Sequence, residues 1–134
     1  MTPIRASVRR QARIDRPPKE VWDLVGDPAR VHEWFSGIVS CNVEGDRRVI
    51  TTAAGIEMPE KILTVDPLQR RFQYRITAPF LKEHLGTIDV LDVGDGSCLV
   101  VYGTDAEPAT LALVIAGAAG AALEHLNEVL EGDR

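Results

Sequence analysis

Residues 47–62 read RRVITTAAGIEMPEKI, and the alternation of polar and apolar side chains in this stretch predicts a β-hairpin. Gly55, with the alanines before it, is the turn signal that separates its two strands. Counting outward from that turn places Arg48 directly opposite Glu60. Opposed side chains share one face of a sheet, and the same face carries the apolar residues Ile50, Met58 and Ile62. The hairpin therefore predicts an arginine and a carboxylate on an otherwise apolar sheet face.

The period of two continues on both sides of this hairpin. Gly, Asp and Pro turn signals divide the chain into strands predicted at 38–44, 47–54, 56–65, 70–77, 84–93 and 97–106. An alternating stretch at 5–14 predicts one more strand at the start of the chain. Helical spacing predicts two short helices, at 19–26 and 29–35, and a long C-terminal helix at 109–131.

This order of elements predicts an α+β fold built as a single domain over residues 1–134. Two short helices follow the first strand, and six closely spaced strands then form an antiparallel meander. The long last helix is the element available to fill the concave face of the sheet. The expected architecture is a curved seven-stranded antiparallel sheet wrapped around that helix.

The C-terminal helix carries a run of seven small residues, 116–122, with the sequence AGAAGAA. Glycine in a helix costs about 1 kcal/mol against alanine, so helix propensity alone does not account for it. The run is compatible with close packing on the sheet or with an apolar cavity between helix and sheet. The predicted buried stripe consists of Leu111, Ile115, Ala118, Ala122, Leu126 and Val129.

Composition and charge exclude several classes of function. The chain is 45% hydrophobic and 26% charged, as a globular domain is. Its formal net charge of −5 argues against a nucleic-acid binder. The longest apolar run, 111–123, is shorter than a bilayer span, so no integral membrane segment is expected. Two isolated cysteines and a polar N-terminus favour a cytoplasmic location.

Four stretches together resemble the START-like, or SRPBCC, superfamily. They are 14–34, which opens IDRPPKEVW and ends at HEW; 48–60; 66–76; and 94–108. The likeness is greatest to bacterial polyketide cyclase/dehydrase and lipid transport proteins, and it covers nearly the whole chain. It implies the helix-grip fold. Two positions depart from the pattern: Tyr102 stands where relatives often carry Trp, and Arg10 stands where an aliphatic residue is usual.

The resemblance implies a cavity for a hydrophobic small molecule, such as a lipid or a polyketide-like compound. One interpretation is a carrier or sensor of that molecule. A second is an aromatase/cyclase or dehydratase, in which cavity Arg, Tyr and Glu side chains move protons. A third is an interaction module without a ligand. The resemblance does not decide whether the protein is an enzyme, and a monomer and a homodimer both remain open.

The candidate polar cluster consists of Arg48, Glu60 and Tyr74, which are also the candidate catalytic residues. Counting over the turn at Asp66-Pro67 places Tyr74 beside Glu60. The cluster is compatible with a structural ion pair, a ligand anchor or catalysis. The full set of candidate ligand-binding residues is Arg10, Trp34, Arg48, Ile50, Met58, Glu60, Phe72, Tyr74, His84, Ile88, Tyr102, Ala118 and Ala122.

The three histidines, His32, His84 and His125, lack metal-ligand spacing, so no metal is expected. The chain has no Gly-rich phosphate loop and no nucleophile elbow, and no cofactor is expected. Trp34 and Phe35 are predicted to form either a core plug or a gate at the mouth of the cavity.

Overall fold

The computed structural model describes residues 4–132. Within those residues the chain forms seven strands and three α-helices. They are β1 (Ala6–Ile14), α1 (Pro18–Val25), α2 (Val31–Trp34), β2 (Ile38–Glu44), β3 (Arg47–Thr52), β4 (Glu57–Asp66), β5 (Arg71–Ile76), β6 (Glu83–Asp92), β7 (Cys98–Glu107) and α3 (Ala109–Gly132). The predicted second helix at 29–35 is a 3₁₀ turn, Pro28–Arg30, followed by the single turn α2.

The strands form one antiparallel sheet in the order β1-β7-β6-β5-β4-β3-β2. Every strand from β2 onward pairs with its sequence neighbour, and β1 closes the far side by pairing with β7. The expected α+β helix-grip architecture is therefore confirmed. The register of the central hairpin is also the predicted one, because Arg48 pairs with Glu60.

The predicted position of Tyr74 beside Glu60 is wrong by two residues. Glu60 pairs with Ile76, and Tyr74 pairs with Ile62. The turn is longer than the counting assumed, because the Asp66 carboxylate accepts hydrogen bonds from two backbone N–H groups of the loop. The longer turn shifts the register by three residues, and an unpaired residue in β4 between Ile62 and Thr64 takes one of them back.

Helix α3 packs mainly against β1 and β7. Its buried face consists of Ala112, Ala116, Ala119, Ala122, Leu123, Leu126 and Leu130. The predicted stripe is therefore rotated in the first half of the helix, where Leu111 and Ile115 are only partly buried and Ala118 is exposed. Alanine methyl groups allow the helix axis to approach the sheet closely. The larger side chains of Leu111 and Ile115 lie at the edge of this helix–sheet interface.

By length and composition alone, α3 is apolar enough to cross a membrane. The expectation of no integral membrane segment rested on the apolar run 111–123, which is shorter than this helix. In this structure its alanine and leucine face is buried against the sheet. That arrangement is typical of the core helix of a globular domain.

Candidate ligand-binding site

A cavity of about 390 Å³ lies between the sheet, α2 and the first half of α3. Helix α3 covers the β1 and β7 side of the sheet, and the concave face of β3 and β4 is left open to the cavity. The wall is mostly apolar. Its lining residues are Val31, Phe35, Ser36, Gly37, Ile38, Arg48, Ile50, Thr52, Met58, Glu60, Tyr74, Ile76, Tyr102, Val114, Ile115 and Ala118.

Arg48 and Glu60 form a buried ion pair on this wall. Their side chains are 3% and 5% exposed, and Arg48 Nη2 lies 2.6 Å from Glu60 Oε1. Arg48 Nε donates to the same oxygen at 2.8 Å, and Nη1 donates to the Pro28 carbonyl at 3.0 Å. The guanidinium carbon also lies 5.3 Å from the Phe72 ring centroid and 5.4 Å from that of Tyr74. These contacts hold Arg48 from three sides.

The second carboxylate oxygen of Glu60, Oε2, takes no part in these Arg48 contacts. Both contacts from Arg48 reach Oε1, and none of the hydrogen bonds within residues 4–132 reaches Oε2. Glu60 lines the cavity, and Oε2 is not among the fully buried unpartnered atoms. The site therefore offers an oxygen atom to whatever occupies the cavity.

Tyr74 and Tyr102 complete the polar group. Their hydroxyls are hydrogen-bonded to each other, and both side chains are buried. The Tyr74 ring lies over Gly86, where a Cβ atom would overlap the ring. Glycine in the interior of a strand commonly marks such a close approach. The absence of a side chain at Gly86 thus leaves room for the Tyr74 ring.

Burial controls the protonation of these groups. Desolvation raises the pKa of both tyrosines well above the usual value for a phenol, so both are neutral, and one hydroxyl donates its proton to the other. Desolvation also raises the pKa of Glu60, although the Arg48 charge acts in the opposite direction. The net effect is that the Glu60 carboxyl group is protonated more easily than an ordinary surface glutamate.

The structure brings together seven of the thirteen candidate ligand-binding residues at the cavity wall. These are Arg48, Ile50, Met58, Glu60, Tyr74, Tyr102 and Ala118. Three more, Trp34, Phe72 and Ile88, are buried in the core. Trp34 and Phe72 pack against the tyrosines, with ring centroids 6.3 Å from Tyr102 and 6.0 Å from Tyr74.

The remaining candidates lie outside the cavity. Arg10 is exposed and lies against Gly120 on the other side of α3. Ala122 is fully buried between α3 and the sheet, because it belongs to the rotated helix face. His84 is buried behind Tyr74, with ring centroids 5.5 Å apart. Strand parity and helix stripes predict these three near the cavity, because such patterns do not reveal where a helix lies across the sheet.

Sequence reasoning missed part of the cavity mouth. Ser36 and Gly37 line it from the α2–β2 loop, and Val114 lines it from α3 while remaining 67% exposed. The position of Val114, an apolar residue outside the predicted stripe, is the one sequence feature that could have indicated this part of the cavity. Phe35 also lines the cavity, whereas its neighbour Trp34 is 1% exposed in the core.

The cysteines and histidines do not converge on a metal site. Among the described residues, no group of three or more His, Cys, Asp or Glu side chains could hold a metal ion. Cys41 Sγ donates to the Ala29 carbonyl at 3.0 Å and lies 3.4 Å from His32 Nδ1. Cys98 is fully buried, and burial raises the pKa of its thiol to about 11.

Solved structures with the same fold come from several organisms. The protein XoxI from Bacillus cereus has a TM-score of 0.88 at 21% identity, covering 96% of this chain and 99% of that one. Norcoclaurine synthase from Thalictrum flavum, solved with dopamine and hydroxybenzaldehyde, has a TM-score of 0.76 at 15% identity, covering 99% and 90%. At these identities the likeness shows the fold alone.

The di-domain aromatase/cyclase BexL of the BE-7585A biosynthetic pathway has a TM-score of 0.80 at 20% identity. The match covers 94% of this chain and 46% of BexL. No curated protein matches the sequence. The family model described as polyketide cyclase / dehydrase and lipid transport matches residues 5–131. The chain belongs to the polyketide cyclase / dehydrase and lipid transport family, an SRPBCC-type helix-grip family.

Proposed function

We propose that the protein binds an uncharged, mostly apolar small molecule in this cavity, as a carrier or sensor in the cytoplasm. The observation that carries the proposal is the apolar wall of a cavity of about 390 Å³ that contains one compact polar group. Cavities of this size and character are typical of small-molecule sites. The Arg48 and Glu60 charges offset each other, and both tyrosines are neutral.

This charge balance supports a neutral oxygen function on the ligand over a carboxylate. An anion entering the cavity would find the Arg48 cation already paired and would approach the Glu60 carboxylate. Removing an anion from water without a compensating charge is costly. A carbonyl or hydroxyl oxygen needs only the neutral donors and acceptors that the wall provides.

Three naphthalene probes of similar size test this proposal: 2-acetonaphthone, 2-naphthoate and 2-ethylnaphthalene. We expect calorimetry to give micromolar affinity for the ketone and at least tenfold weaker binding of the carboxylate. Met58→Trp fills the cavity from β4 and abolishes binding. Val49→Trp places the same residue on the opposite face of the sheet and leaves affinity unchanged. Equal affinity for ketone and carboxylate would contradict the neutral-ligand proposal.

A second candidate function is a cyclase or dehydratase that acts through enolisation of a ketone. Glu60 favours it, because its raised pKa and its unpartnered Oε2 suit a general base beside the neutral phenols. Enolisation would exchange the methyl protons of 2-acetonaphthone for deuterium in D₂O. Faster exchange with the wild type, lost in Glu60→Gln while the ketone still binds, would support catalysis. Binding without exchange leaves the carrier or sensor function.

An interaction module with a closed core is the outcome if the wild type binds none of the three probes. Its partner would then be a protein surface, and the homodimer would be the first assembly to examine. The open cavity and the unpartnered carboxylate oxygen favour the small-molecule function.

A further inference from the structure

Four buried side-chain nitrogen or oxygen atoms lack a hydrogen-bond partner among residues 4–132: Arg16 Nε, Trp34 Nε1, His84 Nε2 and Thr104 Oγ1. His84 and Thr104 lie on neighbouring strands, β6 and β7. They are 2% and 1% exposed. Buried polar atoms are paired in the great majority of cases, so two unpaired atoms on adjacent strands require an explanation.

The register of β6 and β7 makes the two side chains diagonal neighbours. Gly86 pairs with Thr104, and His84 pairs with Ala106. Residues two apart on a strand share a face, and diagonal neighbours on that face are within reach of a side chain as long as histidine. His84 and Thr104 are therefore placed to contact one common atom.

Both atoms can donate a hydrogen bond. His84 Nδ1 accepts from the Ile76 backbone N–H at 2.9 Å, which leaves the proton of the neutral imidazole on Nε2. Burial lowers the pKa of His84 to about 4, so the ring is neutral at pH 7. The Thr104 hydroxyl carries its own proton. An acceptor oxygen would satisfy both donors at once.

The Tyr74 ring connects this pair to the cavity. It packs over Gly86, which lies directly opposite Thr104, and it contacts the His84 ring. The same tyrosine lines the cavity. Its one side-chain hydrogen bond goes to Tyr102, and its ring separates the cavity from the two donors.

We propose that His84 Nε2 and Thr104 Oγ1 form a second, inner subsite that holds one carbonyl oxygen of an uncharged ligand. The subsite lies behind the Tyr74 ring, and the ligand reaches it when that ring shifts. This inference rests on the proposed function, since it requires that a neutral ketone enters the cavity. Two donors that converge on one carbonyl oxygen also polarise it.

Thr104→Val tests the subsite with almost no change in shape. The ketone 2-acetonaphthone should bind about tenfold more weakly to this variant, as expected for one lost hydrogen bond. The hydrocarbon 2-ethylnaphthalene should bind equally to variant and wild type. The unfolding midpoint without ligand should not fall, because the hydroxyl has no partner to lose.

Thr87→Val is the matched control on the opposite face of β6. It removes a hydroxyl that accepts from Gln73 Nε2 at 3.1 Å, so it should lower stability and leave the ketone affinity unchanged. For an assay that needs no variant, the Nε2–H resonance of His84 should shift when the ketone binds to wild-type protein. It should not shift by a comparable amount with the hydrocarbon.

The inference is overturned if the wild type binds the ketone but Thr104→Val weakens ketone and hydrocarbon equally, or weakens neither. It is overturned equally by a His84 resonance that responds to both probes alike. In either case the two donors serve an internal water molecule. A wild type that binds neither probe refutes the proposed function itself, and the subsite with it.

Discussion

At the scale of single residues, the buried Arg48–Glu60 pair is the most unusual feature of the molecule. Burying two charges costs desolvation free energy that their attraction does not reliably repay. Arg48 offsets part of that cost through the Pro28 carbonyl and two aromatic rings. Glu60 has no comparable support at Oε2, and we infer that this oxygen is retained for a ligand.

Removing one partner should therefore cost more than removing both. We expect Glu60→Gln to lower the free energy of unfolding by about 3 kcal/mol, because it leaves the Arg48 charge buried and unpaired. The double variant Arg48→Met/Glu60→Leu should be more stable than Glu60→Gln. Urea unfolding measures the free energy of unfolding of the single and the double variant. A double variant less stable than the single one would show that the ion pair is a net structural asset.

His84 predicts a pH dependence of stability. Its pKa is lowered from 6.5 to about 4 in the folded protein, so below pH 6.5 the unfolded chain binds a proton that the folded chain excludes. The contribution of the neutral His84 ring to the free energy of unfolding is complete above about pH 6.5. It is lost as the pH falls towards 4, by about 3 kcal/mol in total. His84→Gln retains an acceptor for the Ile76 N–H, and its unfolding free energy should lack this pH-dependent loss.

The comparison between wild type and His84→Gln isolates this effect. The raised pKa of Glu60 acts with the opposite sign, since it favours the folded state at low pH, and it is present in both proteins. In denaturation experiments between pH 7 and pH 4, the wild type should lose about 3 kcal/mol more unfolding free energy than His84→Gln. Parallel curves would contradict burial of a neutral imidazole.

At the scale of whole elements, the orientation of α3 turns one helix face towards the sheet and a different face towards the cavity. Ala119 is 1% exposed against the sheet, whereas Ala118 is exposed and lines the cavity. The sequence stripe placed Ala118 against the sheet. Apolar periodicity did not reveal the rotation, because in this run of Ala and Gly every side of the helix looks alike.

Adding the same volume at these two adjacent positions should therefore have different effects. Ala119→Leu overpacks the helix–sheet contact and should cost about 1–3 kcal/mol of unfolding free energy. Ala118→Leu should leave stability within about 0.5 kcal/mol of wild type. Thermal unfolding of both variants provides the measurement. A larger loss of stability for Ala118→Leu than for Ala119→Leu would show that Ala118 packs against the sheet, as the stripe predicted.

The two hairpins of the sheet show what the sequence can reveal and where it stops. The pairing of Arg48 with Glu60 was predictable, because the β3–β4 turn is short and signalled by Gly55. The β4–β5 register was not, because Pro67 suggested a tight turn where Asp66 organises a longer one. Tyr74 still reaches the polar group, since Gly86 leaves room for its ring.

At the scale of the whole molecule, stability and binding occupy different parts of the fold. The side of the sheet formed by β1 and β7 is closed by the alanine face of α3. The concave face of β3 and β4 is left open, with α2 and the exposed face of α3 at its margin. Strand order and helix length were readable from the sequence, but the uncovered area depends on the angle of α3.

The open part of the fold is expected to hold a small apolar molecule. Native mass spectrometry of wild type and Met58→Trp, purified gently from the natural host, tests it most directly. We predict a discrete adduct on the wild type that organic solvent extracts and that the cavity-filled variant lacks. Adduct-free spectra for both proteins, unchanged after incubation with 2-acetonaphthone, would contradict ligand binding in the cavity.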